Sequence, residues 1–223
     1  MDKTLYYFIY IVLSGVFVVA LFALALLLDK KTDTPRYVTR KVIHILFANY
    51  YFIPFFMVPN KEEVLIAIIP SLIFVGLNTL SYRYKIVKAI ERDDQKEIGT
   101  IIYPLSFALL LIISNYFFML PYIGLLGALL LGYGDGLAGI IGRKFNKQNS
   151  NKTLIGFLTM FVTSLLVSLI IVFVFNGTEY LWFAPLIALL AALFEYYGPY
   201  GIDNFTVPMF TAIGYYLLIL LTV

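Results

Sequence analysis

The sequence contains no cysteine, which excludes disulfides, thiolate nucleophiles and cysteine-ligated zinc or iron–sulfur centres. Its single histidine, His44, excludes a metal centre built on several imidazoles. Charge is also scarce. Asp, Glu, Lys and Arg make up 13% of the chain, against about 25% in an average soluble domain. Apolar residues stand in their place: 61% of the 223 residues are hydrophobic and the mean hydropathy is +0.91. This is the composition of an integral membrane protein. The net charge of +3 says little as a total; the placement of the charges says more.

A membrane span needs roughly 20 mostly apolar residues. Such stretches occur at about 5–28, 42–59, 64–81, 101–119, 121–142, 154–175, 181–197 and 206–222. The expected fold is all-α, a polytopic transmembrane helix bundle of about eight spans, with residues 1–223 forming a single domain. The first run, Leu5 to Leu28, exceeds a signal-peptide core and is followed by no small-residue cleavage pattern, so it reads as a retained span. Pro54, Pro70, Pro104 and Pro185 fall in or near spans, where neighbours must satisfy the carbonyls they free.

Basic residues cluster in alternate connections. Lys30, Lys31, Arg36, Arg40 and Lys41 form one group. Arg83, Lys85, Lys88, Arg92 and Lys96 form a second, and Arg143, Lys144, Lys147 and Lys152 a third. The positive-inside rule places these segments in the cytoplasm and both termini outside. The segment Ser81–Ile98 mixes signs and reads as an amphipathic surface helix. Arg40, Lys41, His44, Glu97, Asp135, Lys152, Glu195, Asp203 and Asn204 then all fall at cytoplasmic ends of different spans. One polar pocket open to the cytosol would collect them. A transporter would instead place polar groups at the midplane of repeated halves, and no internal repeat is visible. A small lipid transporter or scramblase is kept as a second alternative. With no organelle signal visible, a prokaryotic plasma membrane is the expected location.

The stretch from Gly132 to Lys144 puts Asp135 and five glycines inside a span otherwise fit for lipid. A carboxylate at membrane depth is expensive, so it marks a functional site or a structural ion pair. Glycines around it let backbone approach a neighbouring helix or a ligand. Asp135 suits Mg²⁺, which takes one or two carboxylates and leaves other positions to water and phosphate. Lys152 and Thr153 open a span, either as a snorkelling lysine with a helix cap or as an anion site. No GxxxxGK[ST] motif is present, so this is not a P-loop. Arg40, Lys41 and His44 are a positive-inside anchor with a buried histidine, or a phosphate clamp with His44 as hydrogen-bonding partner or base. Glu97, Gly99 and Tyr103 fit structure and function equally. Glu195 has no capping role among Leu189–Phe194, which makes it and Asp203 candidates for a metal ligand or a general base, while the plainer reading of Asn204 or Thr206 is a cap for the last helix.

Together these elements resemble the membrane-bound polyprenol kinase family, which includes dolichol kinases, phytol kinases and CTP-dependent diacylglycerol kinases. The matching elements are Arg40-Lys41-x-x-His44, Glu97-x-Gly99-x-x-x-Tyr103 and Gly134-Asp135-Gly136-x-Ala138-x-x-x-Gly142. Lys152-Thr153-x-x-Gly156 and Glu195 with Asp203-Asn204-x-x-x-Pro208 complete the set, so the resemblance runs from residue 40 to residue 208. Asn146 and Phe157 depart from the pattern, where a glycine and a small hydroxyl residue are expected.

The resemblance implies CTP-dependent phosphorylation of a long-chain isoprenoid alcohol at the cytoplasmic membrane face, with ATP the less favoured donor. Asp135 with Glu195 or Asp203 would hold Mg²⁺. Arg40, Lys41, Lys152, Thr153, Arg143, Lys144 and Asn204, with the backbone of Gly134, Gly136, Gly142 and Gly156, would meet the nucleotide phosphates. Asp203 or Glu195 would be the base, with His44 in reserve. The implied partners are a nucleoside triphosphate, the lipid alcohol and the bilayer, without nucleic acid. The alternative is a CTP:lipid-phosphate cytidylyltransferase of the CDP-diacylglycerol or CDP-archaeol synthase type. That reading lacks its expected Ser-Pro before Lys152.

Overall fold

The structure is a computed structural model that describes residues 2–31, 35–84, 86, 98–145, 152–199 and 201–222. Most of the segment 82–98, including Glu97, lies outside these residues, as does Asn146. Of the surface helix expected over Ser81–Ile98, residues 81–84 belong to the preceding helix (Val64–Tyr84), and most of the rest falls outside what is described. Among the described residues every regular element is helical, as expected for an all-α bundle.

Helix α1 (Lys3–Lys31) buries Tyr10, Ser14, Val18, Leu21 and Ala25, a three-and-four spacing that defines one helical face. Phe8, Val12, Val16 and Val19 stay exposed on the other side. α8 (Leu154–Asn176) repeats the pattern. Met160, Ser164, Ser168 and Ile171 face inward, while Leu158, Val162, Leu166, Ile170 and Phe173 face out. Exposed apolar stripes of this length suit a lipid surround. Because lipid tails are as apolar as leucine, helix association here depends on close packing and polar contacts. Small inward residues such as Ser164 and Ser168 let neighbouring helices approach.

The centre of the bundle is the span Pro121–Lys144, of whose apolar window 78% is buried, against 22% for α1 and 28% for α8. It begins with Pro121 at the first helical position of α6 (Pro121–Leu129), widens into a π-type segment (Leu130–Asp135) and continues as α7 (Gly136–Lys144). Its glycines set how closely other helices come. A Cβ on Gly132 would lie 2.1 Å from Ala48 Cβ of α2 (Arg36–Ala48). A Cβ on Gly142 would lie 3.2 Å from Gly156 Cα of α8. α2 and α8 thus flank the π-type segment and α7, and α10 (Asp203–Leu220) crosses α6 and α5 (Gly99–Leu111).

Among the described residues, five stretches are long and apolar enough to cross a membrane: Lys3–Leu28, Lys61–Tyr84, Gly99–Phe117, Pro121–Lys144 and Leu154–Asn176. The other three expected spans differ. The stretch expected at 42–59 is a composite: α2, a 3₁₀ turn (Asn49–Tyr51) and the short α3 (Phe52–Met57). Asn49 donates its side-chain amide to Ile45 O and Leu46 O at 3.2 Å. α9 (Phe183–Tyr197) has 15 residues, fewer than the roughly 20 that a span needs. α10 begins with the polar pair Asp203-Asn204. The physical reason is shared: these three carry Lys41 with His44, Glu195, and Asp203 with Asn204. Polar side chains needed inside the bundle shorten or dilute the apolar runs that hold them.

Candidate active site

Two clusters of charge meet at one end of the central span. In the first, Lys41 and His44 lie three residues apart on α2 and so share a helical face. Lys41 Nζ donates to both oxygens of Asp135 at 2.7 Å. His44 Nε2 is 3.0 Å from Asp135 Oδ2 and 3.2 Å from Leu131 O. Asp135 closes the π-type segment, whose wider turn turns Leu131 O toward the imidazole. The His44 ring stacks on Tyr103 with centroids 4.0 Å apart, and the Tyr103 hydroxyl donates to His44 O at 2.9 Å. Tyr103 thus holds α5 against α2 and fixes the imidazole from behind.

The second cluster joins three elements that are distant in the chain. Lys152 Nζ donates to Glu195 Oε1 at 2.6 Å, to Glu195 O at 2.5 Å and to Asp203 Oδ2 at 3.0 Å. Burial opposes the charge on Lys152, yet the carboxylates of Asp203 and Glu195 outweigh it and hold its pKa above the ordinary lysine value. Thr153 caps α8 by accepting from Gly156 N at 3.0 Å. Asn204 donates its side-chain amide to Gly99 O at 2.8 Å and its backbone N–H to Asp203 Oδ1 at 3.0 Å. It therefore ties the start of α10 to the start of α5.

The two clusters are one site. Carboxylate oxygens of Asp135, Glu195 and Asp203 lie within 4.8 Å of one another, and all three residues are buried. Three anionic oxygen donors this close are a hard-ligand set of the kind that suits Mg²⁺, so the residues present fit that ion. Lys41 and Lys152 offset two of the three negative charges. Two lysines at the carboxylate cluster also provide point charges for phosphate oxygens.

A single cavity brings together most of the residues singled out in the sequence. Arg40, Lys41, His44, Gly99, Tyr103, Asp135, Gly142, Arg143, Lys152, Thr153, Gly156, Glu195, Asp203 and Asn204 all line it. Gly134 and Gly136 do not. Their missing side chains make room for Met160 (2.5 Å to Sδ) and Ile45 (2.3 Å to Cγ1), so these two glycines serve helix packing instead of facing the cavity. Lys144 is exposed and lies beside the Phe145 ring, away from the cavity wall. Glu97 lies outside the described residues.

The cavity also includes residues that the motifs did not reveal: Tyr37, Asn78, Thr100, Gly139 and Gly201. Gly139 was legible in principle, because it lies four residues beyond Asp135 on the same helical face. Tyr37 carries the Arg143 guanidinium over its ring at 5.1 Å.

A phytol kinase of the cyanobacterium Synechocystis is 30% identical to this chain over 210 residues, covering 90% of this chain and 88% of that protein. The chain belongs to the phytol kinase family. It is accordingly a lipid-alcohol kinase. A probable phytol kinase of Oryza sativa is 28% identical over 201 residues, covering 81% of this chain and 64% of that protein. A phytol kinase of Arabidopsis thaliana is 26% identical over 212 residues, covering 85% and 69%. No protein-family model matches the chain, and no solved structure matches it.

A kinase of the phytol kinase family must hold a water-borne nucleotide and an acceptor embedded in lipid at one point. The cavity is lined by acids and bases and also by the apolar Ile43, Phe47, Phe74 and Ala138.

Proposed function

We propose that the protein transfers the γ-phosphate of a nucleoside triphosphate, CTP in preference to ATP, to the hydroxyl of a long-chain isoprenoid alcohol of the phytol or polyprenol class. One observation carries this reading: three buried carboxylates within 4.8 Å, bracketed by Lys41 and Lys152, in a cavity that also has apolar lining residues. The names of the relatives support an isoprenoid acceptor. The preference for CTP rests on the likeness to polyprenol kinases. The basic segments around Arg40 and Arg143 support a site that opens to the cytoplasm, in a multi-pass protein of a prokaryotic plasma membrane.

Phosphoryl transfer asks mainly for positioning and neutralisation of charge. Asp135, Glu195 and Asp203 would hold Mg²⁺, which when bound offsets the charge of the triphosphate. Lys41 and Lys152, with Arg40 and Arg143 lining the same cavity, neutralise the β- and γ-phosphates. The acceptor oxygen bonds to the γ-phosphorus as the bond to the β-phosphate oxygen breaks, which leaves a nucleoside diphosphate. The hydroxyl proton passes to Asp203 or Glu195. The apolar lining residues let the isoprenoid chain stay in the membrane throughout.

The products distinguish this reaction from nucleotidyl transfer. Purified protein supplied with phytol, Mg²⁺ and either nucleotide should release CDP, or ADP more slowly, in step with phytyl phosphate. Pyrophosphate release onto a lipid phosphate would overturn the kinase assignment in favour of a cytidylyltransferase.

A further inference from the structure

Asn78 lies on α4 (Val64–Tyr84), on the buried face that also carries Ser71, Phe74 and Ser81. It is 4% exposed and lines the cavity. Its Nδ2 donates to Thr100 O at 2.6 Å. In a regular helix that carbonyl would accept the N–H of the residue four further on, but residue 104 is proline and has none. Asn78 therefore supplies from α4 the donor that Pro104 removes from α5.

That role accounts for only half of the side chain. Asn78 Oδ1 is buried and has no hydrogen-bond partner among the described residues. Leaving a buried amide oxygen unpaired is unfavourable by about 1–3 kcal/mol, and Asn78 is one of the residues of the cavity wall. Its surroundings say which ligand. Phe74 lies one helical turn away on the same face and packs on Phe47 with centroids 4.6 Å apart, both lining the cavity. Asn204 grips Gly99 O, the carbonyl next to Thr100, and Asn204 adjoins Asp203. A hydrogen-bond acceptor in a cavity lined by both aromatic residues and the carboxylate cluster suits a molecule with one hydroxyl on a hydrocarbon chain. It offers nothing to a phosphate, which brings acceptors and no donor.

We infer that Asn78 Oδ1 accepts a hydrogen bond from the hydroxyl of the acceptor alcohol and turns that oxygen toward the γ-phosphate, with the first carbons of the chain against Phe47 and Phe74. The inference rests on the kinase reading above. In a loose transfer the hydroxyl proton leaves late, so the hydroxyl donates to Asn78 in the bound state and turns its hydrogen to Asp203 or Glu195 only as the new bond forms.

The experiment separates the two halves of the amide. Initial rates with phytol and with nucleotide are measured for the wild type and for Asn78→Ala, Pro104→Ala and the double variant. Pro104→Ala returns an N–H to Thr100 O, so the double variant no longer needs the Asn78 donor to hold α5. The expected result is a KM for phytol raised about tenfold in Asn78→Ala, the size of one lost hydrogen bond. The same rise should persist in the double variant relative to Pro104→Ala, with the nucleotide KM unchanged in both. If the single variant fails to fold, the comparison of Pro104→Ala with the double variant carries the test. A double variant whose phytol KM matches that of Pro104→Ala would reduce Asn78 to a helix prop and overturn the inference. So would a shift that falls on the nucleotide KM. A wild type that phosphorylates no lipid alcohol would instead overturn the kinase reading itself, before any variant is compared.

Discussion

Gly139 and Lys41 fit against each other only because one of them has no side chain: a Cβ on Gly139 would lie 2.4 Å from Lys41 Cε. The lysine stem crosses α7 at that point on its way to Asp135, one helical turn nearer the centre of the membrane span. The lysine is flexible, so Gly139→Ala should shift its stem while the pair with Asp135 is kept, moving the ammonium from its place in the cavity without loosening the bundle. The expected result is a change in stability within about 0.5 kcal/mol, the ordinary range for a tolerated substitution, with phosphate transfer reduced at least about tenfold. Thermal unfolding in detergent and initial rates measured side by side check both parts.

Gly132 makes the opposite prediction. A Cβ there would meet Ala48 Cβ at 2.1 Å and Ala48 Cα at 3.4 Å, so the clash falls on a neighbouring helix and no flexible chain can absorb it. Gly132→Ala should lower stability by about 1–3 kcal/mol, the usual penalty of overpacking a filled interior. Its unfolding temperature should fall below that of Gly139→Ala in the same detergent.

Lys152 holds two buried carboxylates, Glu195 and Asp203, through one ammonium. Removing it leaves two like charges facing each other. Lys152→Met should destabilise the protein on the order of 3 kcal/mol, as expected when one member of a buried ion pair is lost, and should abolish transfer. Adding Glu195→Gln should restore most of the unfolding temperature, because one of the orphaned charges is gone, while activity stays absent. Recovery of activity in the double variant would show that neither residue is needed for chemistry.

Much of this site was legible in the sequence because polar groups stand out in an apolar chain. Asp135, Glu195 and Asp203 could be picked out by expense alone: an acid at membrane depth needs a reason. The start of α8 also read correctly, since Thr153 caps it as its position before an apolar run suggests. But α10 begins after Ile202 with no side-chain cap, so neither Asn204 nor Thr206 fills the capping role expected of them. Other features left no trace. The π-type segment ending at Asp135 has no residue signature, because one wider turn changes the backbone and not the composition. Gly134 and Gly136 flank the acid and were expected to meet phosphate, yet a glycine inside a helix answers equally to a close helix, and Met160 and Ile45 occupy those sides. Asn78 stands out in the sequence only as a polar group, with Ser81, in the third expected span, because its meaning depends on Pro104, a residue of the next helix. Three of the elements that contribute to the site, α2, α9 and α10, carry shorter or more polar runs than the eight expected spans suggest, since side chains that serve the cavity displace apolar ones.

The most direct measurement of the central claim is the transfer of label from γ-labelled CTP to phytol in the presence of Mg²⁺, by the wild type and by Asp135→Asn. Asp135 draws Lys41 and His44 to itself and faces Glu195 and Asp203. Substitution by asparagine keeps its shape and removes its charge. The account predicts labelled phytyl phosphate from the wild type and a loss of about a hundredfold or more in a variant that folds normally, in line with the removal of one essential electrostatic group. Undiminished transfer by Asp135→Asn, or a wild type that labels no lipid alcohol, would contradict it.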